Sequence, residues 1–329
     1  MSRVVVVTGG SAGVGRAVAR RLVADGDAVA LLARGEDKLE AARQELLAAG
    51  GRVMTCSVDV ADAEAVESAA DRVERELGPI DVWINCAMTA TLAFVHETTP
   101  AEFRRVTEVT YLGFVHGTLA ALRRMRPRNR GTIVMVGSAL AYRAIPLQAT
   151  YCAAKHAVRA FADSLRVELM HEGSAVKVTT VHLPGLNTPQ FEWVRTTCLR
   201  RPKPVAPFYE PEVAADAVVW ASRHPRRELF VARATVLTVL GNKLAPRIAD
   251  RVLARSNVED QQDPETPIAP GRPDYLLSPL PGDRGSRGPY GDEARSRSLT
   301  WWATKHRARI GAVAVSAAGA ATAVTRRRR

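Results

Sequence analysis

Acidic residues give out before the chain does. The last 29 of its 329 residues hold seven Lys and Arg and no Asp or Glu, within a formal net charge of +12. Cysteine is scarce: Cys56, Cys86, Cys152 and Cys198 form no C-x-x-C pair and no Cys/His spacing that suits zinc. This argues against a disulfide scaffold and a bound metal, and for reduced thiols in a cytoplasmic setting. No charged, apolar and small-residue leader precedes Val4–Val7, so a secretory signal is not expected. The uncharged stretch Ile310–Val324 would span only about 22 Å as a helix, short of the ~30 Å hydrocarbon layer. The basic surplus comes without a helix-turn-helix, zinc-finger or RNA-binding signature, so no nucleic-acid partner is expected.

What is present is organised around Gly131–Lys155. Thr132–Val136 is apolar and partly β-branched, closes at Gly137, and reads as a buried strand with Ser138 at its end. After a loop ending at Pro146 and Gln148, an amphipathic helix carries Tyr151 and Lys155, four residues apart and so on one helical face. A phenol titrates near ~10, and a neighbouring ammonium favours its ionised form. Ser138, brought alongside, donates a hydrogen bond to a carbonyl oxygen. Near the N-terminus a second pattern stands out. The apolar run 3–8 is followed by Gly9-Gly10-Ser11-Ala12-Gly13-Val14-Gly15 and then by a helix that stops at Gly26. Such a turn presents backbone N–H groups to a pyrophosphate at the helix N-terminus, or else the glycines only serve tight packing.

With both patterns on the page, the sequence resembles the short-chain dehydrogenase/reductase family. Its strand-end Ser and Tyr-x-x-x-Lys are matched by Ser138, Tyr151 and Lys155. Its Thr-Gly-x-x-x-Gly-x-Gly is matched by Thr8, Gly9, Gly13 and Gly15, with Ser11 and Val14 in the same turn. The resemblance covers residues 3 to about 232. It implies a single α/β domain with a doubly wound parallel sheet of the Rossmann type, a nicotinamide cofactor, and a carbonyl or alcohol substrate. Tyr151 is then general acid and base, Ser138 steadies the oxygen, and Lys155 lowers the Tyr pKa and bonds the nicotinamide ribose. It also implies cofactor contacts from Asp59 and Val60, from Asn85 and Ala87, and from Pro184, Gly185 and Thr188. Cys86 and Met88 depart from the usual Asn-Asn-Ala-Gly. Thr110 falls where many members have an Asn that holds a relay water, through either its backbone or its side chain. Homo-oligomers through helices 100–125 and 148–171 are a further implication.

The second strand, 28–33, ends at Arg34. An acid there would bond the ribose hydroxyls of NAD. An Arg pairs with the 2′-phosphate of NADP, so NADP(H) is expected over NAD(H); the other reading of Arg34 is a solvated surface charge. Asp59 reads equally as a turn or cap residue. Residues 189–210 combine Pro202, Pro204 and Pro207 with four aromatics and read as a substrate lid. Three segments follow: a catalytic domain over 1–255, a mostly disordered linker over 256–298 that is rich in Pro, Gly, Asp, Arg and Ser, and a basic, weakly apolar tail over 299–329. For the tail, one reading is a loose basic segment. The other is association with an anionic membrane surface, Trp301 and Trp302 lying at the interface. Two other functions fit parts of the sequence: a non-catalytic NADP-binding regulator, and a membrane-attached scaffold.

Overall fold

Four consecutive valines need apolar cover on both sides, and a central parallel strand supplies it. The computed structural model describes residues 2–269 and 271–307. In it, β1 (Val4–Thr8) sends Val5 and Val7 into one apolar cluster and Val4 and Val6 into another on the opposite face. The chain then alternates through α1 (Gly13–Ala24), β2 (Ala28–Ala33), α2 (Glu36–Ala48), β3 (Val53–Ser57), α3 (Ala63–Leu77) and β4 (Ile80–Asn85). A two-residue strand, β5 (Thr91–Leu92), precedes α4 (Pro100–Thr107) and α5 (Gly113–Met125). Next come β6 (Thr132–Ser138), α6 (Ala149–His171) and β7 (Lys177–Leu183). The lid holds α7 (Gln190–Trp193), β8 (Arg195–Thr196) and β9 (Arg200–Pro202), and α8 (Pro211–Arg223) and β10 (Glu228–Phe230) follow it. After these lie α9 (Arg233–Leu244), α10 (Pro246–Ser256) and β11 (Gln262–Pro267).

Among the described residues seven strands form one parallel sheet in the order β10-β7-β6-β4-β1-β2-β3. Residues of α1, α2 and α8 fill one face, and residues of α3, α5 and α6 fill the other. Each fully buried Val or Leu contributes about 1.5–3 kcal/mol, so the two faces dominate the stability. Every strand of this sheet points its carboxyl end to the same edge, and the strand order reverses beside β1. The expected doubly wound sheet is therefore present, and ligands of such sheets bind in the crevice at that edge.

Three expectations change. The single helix expected over 100–125 is two. A π-helical turn at Glu108–Leu112 separates them and contains Thr110; such turns are frequent at functional sites. The stretch 256–298 is not a disordered linker. It is a strap laid across the carboxyl edge of the sheet, with Leu276 and Tyr290 buried and β11 paired antiparallel with β9. Pro and Gly keep it from forming a helix or joining the main sheet, but a few apolar side chains and its own backbone carbonyls anchor it to the body. Finally, Trp301 does not lie at a surface. It is 4% exposed, meets Trp220 edge-on, and donates from Nε1 to Asp216 at 2.6 Å. The apolar part of the tail, Ile310–Val324, lies outside the described residues. No described helix is long and apolar enough to cross a membrane.

Candidate active site

The carboxyl edge opens into a cavity of about 340 Å³, lined from the Gly-rich turn at one end to Ser138, Tyr151 and Lys155 at the other. The turn is built for close approach. Gly13 has φ +54°, and a Cβ on Gly15 would lie 2.2 Å from the Gly9 carbonyl oxygen. Helix α1 has Ala12 as its N-cap residue, with no side-chain cap and no acid in its first turn; the strap takes its first amide, Gly13 N–H, and the dipole of the helix favours an anion at the following ones. Arg34, just after β2, and Lys38, in the first turn of α2, place two cations on the cavity wall. Glycines that admit a backbone-close ligand, an uncapped helix start and two cations fit a dinucleotide phosphate.

Of the residues expected to bind cofactor, Gly9, Ser11, Gly13, Val14, Gly15, Arg34, Asp59, Val60, Ala87, Pro184, Gly185 and Thr188 line the cavity, with Tyr151 and Lys155. Thr8 and Asn85 do not. The Thr8 hydroxyl accepts the N–H groups of Cys86 and Ala87 at 3.0 and 3.1 Å, tying β1 to the end of β4. Asn85 accepts from Trp83 Nε1 and donates to Thr118 Oγ1, both at 3.0 Å, within the interior. Both side chains shape the cavity floor from behind. Thr110 is likewise outside. Its hydroxyl accepts from the Thr89 N–H at 2.9 Å and donates to the Thr89 carbonyl at 2.7 Å. That hydroxyl has no second proton to give, so the side-chain version of a water relay finds no support here.

Lys155 donates to the Val136 carbonyl at 2.8 Å and sits 4.4 Å from the Phe114 ring centroid and 5.5 Å from that of Tyr151. Burial pushes its ammonium down to about 8. Burial also raises the Tyr151 phenol, opposed by a hydrogen bond with the Ser138 side chain. Burial of the phenol therefore works against the lowering expected from Lys155. Ser138 Oγ also accepts the Leu140 N–H at 3.1 Å, which orients the hydroxyl. Just before α6, Leu147 holds φ +66°, an outlier for a branched residue, while its carbonyl takes the Ala93 N–H at 2.9 Å.

Sequence patterns gave no sign of the cavity's other contributors. Lys38 is buried, with Nζ 4.4 Å over the Trp193 ring, and burial lowers its pKa. The strap adds Tyr275 and Pro279 to the lining. It also engages the cofactor end directly. Gly13 N–H donates to the Gly285 carbonyl at 3.0 Å, and Arg34 donates to the carbonyls of Tyr275 and Leu277 at 2.5 and 2.9 Å. Arg105 pairs with Asp59 at 2.5 Å and reaches the Leu276 carbonyl at 3.2 Å. Burial lowers the Arg34 pKa, as does the neighbouring Arg105 charge. Arg34 is therefore not the solvated surface charge of the alternative reading. The strap contacts carry no local signature in the sequence.

Comparison with known proteins agrees with this geometry. A family model described as short chain dehydrogenase matches residues 3–198. The uncharacterized oxidoreductase YxnA of Bacillus subtilis (strain 168) is 31% identical over 308 residues, covering 92% of this chain and 85% of that protein. A 3-dehydrosphinganine reductase of Danio rerio is 35% identical over 192 residues, 57% of each chain. Among solved structures, an alcohol dehydrogenase from the archaeon Thermococcus sibiricus, complexed with 5-hydroxy-NADP, superposes with a TM-score of 0.61 at 28% identity, over 70% of this chain and 96% of that one. Actinorhodin polyketide ketoreductase with NADPH gives 0.63 at 26% identity, over 70% and 95%.

Proposed function

The chain belongs to the short-chain dehydrogenase family of oxidoreductases acting on CH–OH and C=O groups, and we propose that it uses NADP(H) to interconvert an apolar carbonyl compound and its alcohol. The observation that carries this reading is the convergence of Ser138, Tyr151 and Lys155 with the Gly9–Gly15 turn on one continuous cavity. Arg34 after β2 and Lys38 in α2 support NADP(H), because a 2′-phosphate needs cationic partners. Leu92, Leu140, Ile145, Val194 and Val205 line the far end and support an apolar substrate.

The bound nicotinamide supplies hydride to the carbonyl carbon or takes it from the alcohol. Tyr151 gives its phenolic proton to the carbonyl oxygen in the reductive direction and takes it back in the oxidative one. Burial favours the protonated form of this phenol. The Ser138 hydroxyl donates to the same oxygen as negative charge gathers there. Lys155, fixed by the Val136 carbonyl, places positive charge below the phenol and, by family resemblance, bonds the nicotinamide ribose. Thr110 acts as a positioning residue by holding Thr89 beside the cavity wall, and a backbone group of its π-turn remains the proposed place for a relay water. Thr8 and Asn85 act in the same indirect way.

The intact Ser138, Tyr151 and Lys155 set disfavours the regulator reading. Exposed Val167 and Met170 on α6 suit a homo-oligomeric contact. An anionic membrane surface is the partner proposed for the C-terminal part, now without Trp301. Trp302 is 54% exposed, and α10 exposes Ile248 and Val252 beside Arg247, Arg251 and Arg255. The catalytic body would stay on the cytoplasmic side, which suits four free thiols. The test of the main reading is NADPH consumption across a series of apolar ketones and aldehydes, with NADPH and NADH affinities measured alongside. Turnover with NADPH and at least tenfold weaker NADH binding is expected. NADPH binding with no turnover on any carbonyl would favour the regulator instead.

A further inference from the structure

Tyr275 reaches the cavity from outside residues 3–198, the part of the chain that the family model matches. The backbone around it is held at several points. Its N–H donates to the Trp193 carbonyl at 3.2 Å, and its carbonyl accepts from Arg34 at 2.5 Å. Three residues earlier, Arg272 donates to the carbonyls of Glu192 and Val194. Asp274 accepts the Leu276 N–H at 3.0 Å and closes a tight turn. With the main chain pinned to the lid on one side and to β2 on the other, the side chain points inward. It packs in an apolar group with Met88, Leu92, Val194 and Tyr151. Its hydroxyl lies 3.9 Å from Met88 Sδ, and its ring centroid lies 5.9 Å from that of Trp193. A ring held by its own backbone, with only two side-chain torsions, makes a stiff wall.

We propose that Tyr275 is a specificity-determining residue: the strap closes the substrate chamber with this ring, and its size limits the groups a carbonyl compound can carry next to the atom that faces Tyr151. This rests on the oxidoreductase reading above and deepens it. The body of the domain supplies the chemistry, and a segment beyond the family-matched region trims the substrate range. A pocket wall discriminates by roughly 10–200-fold for each methylene it admits or rejects, so removal of a whole phenol ring should be plainly measurable.

The test uses the full chain and a series of ketones with one flank constant and the other growing from methyl to propyl to cyclohexyl. Tyr275→Ala should raise kcat/KM for the largest ketone relative to the smallest by tenfold or more. Its NADPH dissociation constant should stay within about threefold of wild type, since the Arg34 contact is to the backbone. Tyr275→Phe should keep the wild-type ratio, because the ring and not the hydroxyl sets the limit. Tyr275→Leu serves as a second enlargement if the alanine variant unfolds, with the melting temperature as control. A size ratio within twofold of wild type in both the Ala and Leu variants overturns the proposal while leaving the reaction intact. An equal shift in Tyr275→Phe also overturns it and assigns the effect to the hydroxyl. A wild type that binds NADPH but consumes none with any ketone overturns the oxidoreductase reading itself, and this role with it.

Discussion

Residues 3–232 and 256–298 build one cavity by opposite means. The first region is regular. Its strands bury apolar side chains on both faces, its helices are capped by residues such as Asp62 and Thr99, and its cavity residues stand at strand ends and on helices such as α6. The second has, among its described residues, one strand, β11, and is held largely by side chains of the body that grip its main chain. Arg34 and Arg105 take its carbonyls, Gly13 bonds Gly285, and Arg16 pairs with Asp283 at 2.6 Å. A Pro- and Gly-rich composition therefore says that a segment cannot build structure alone. It does not say that the segment has none when a folded surface offers donors.

Four substitutions sharpen or break this contrast. Tyr151→Phe touches only the chemistry of the regular region. Turnover should fall by roughly 10² or more, with NADPH affinity within about threefold by fluorescence titration. A loss of binding instead would mean that the phenol holds the cofactor more than it serves the reaction.

Glu228 tests how far the regular region depends on its buried polar groups. It accepts from His182 Nε2 at 3.0 Å and from Tyr142 at 2.5 Å. The His182 hydrogen bond, with help from Tyr142, holds its carboxyl down at about 2 against the ordinary 4.5. A depressed folded pKa contributes stability that is present above about pH 4.5 and is lost as pH falls towards 2. Glu228→Gln should therefore lower stability at pH 7 by about 2–3 kcal/mol and flatten the acid limb between pH 4.5 and 2. Urea unfolding across that range reads both, and an unchanged acid limb would remove Glu228 from the account.

Arg34 is the joint between the regions. A charge-assisted contact is worth about 1.5–3 kcal/mol, so Arg34→Ala should close the affinity gap between NADPH and NADH by tenfold to a hundredfold. An unchanged gap, with the strap more open to protease, would assign Arg34 to the strap alone. Arg272→Ala has the smallest expected effect. It should speed proteolytic cleavage within 256–298 several-fold and move the main thermal transition by only a few degrees. A loss of the whole transition would show that the strap and body unfold as one unit, and the contrast would fail.

How much was legible in the sequence follows the same division. Strand ends, the Gly-rich turn and the Tyr151–Lys155 face are local periodic signals, and each appears where the pattern placed it. The roles of Thr8, Asn85 and Thr110 were not legible, since motif position does not say whether a side chain faces the cavity or the interior. Thr110 in particular spends its hydroxyl on Thr89, a partner 21 residues away. The burial of Tyr151, which works against the lowering expected from Lys155, was not legible either, because a sequence displays a neighbouring charge but not the loss of water. Tyr275 was hidden for a stronger reason: its position depends on contacts with Trp193 and Arg34, both distant in the chain, and no periodicity records them.

The central claim is that hydride passes from NADPH to a carbonyl carbon within this cavity. NADPH deuterated at the transferable C4 position, incubated with an accepted apolar ketone, tests it most directly by mass spectrometry of the alcohol. The account predicts one deuterium on the carbinol carbon of the product in wild type, formed at least 10² times more slowly in Tyr151→Phe. An alcohol free of deuterium, or no alcohol from any member of the series while NADPH remains bound, would contradict it.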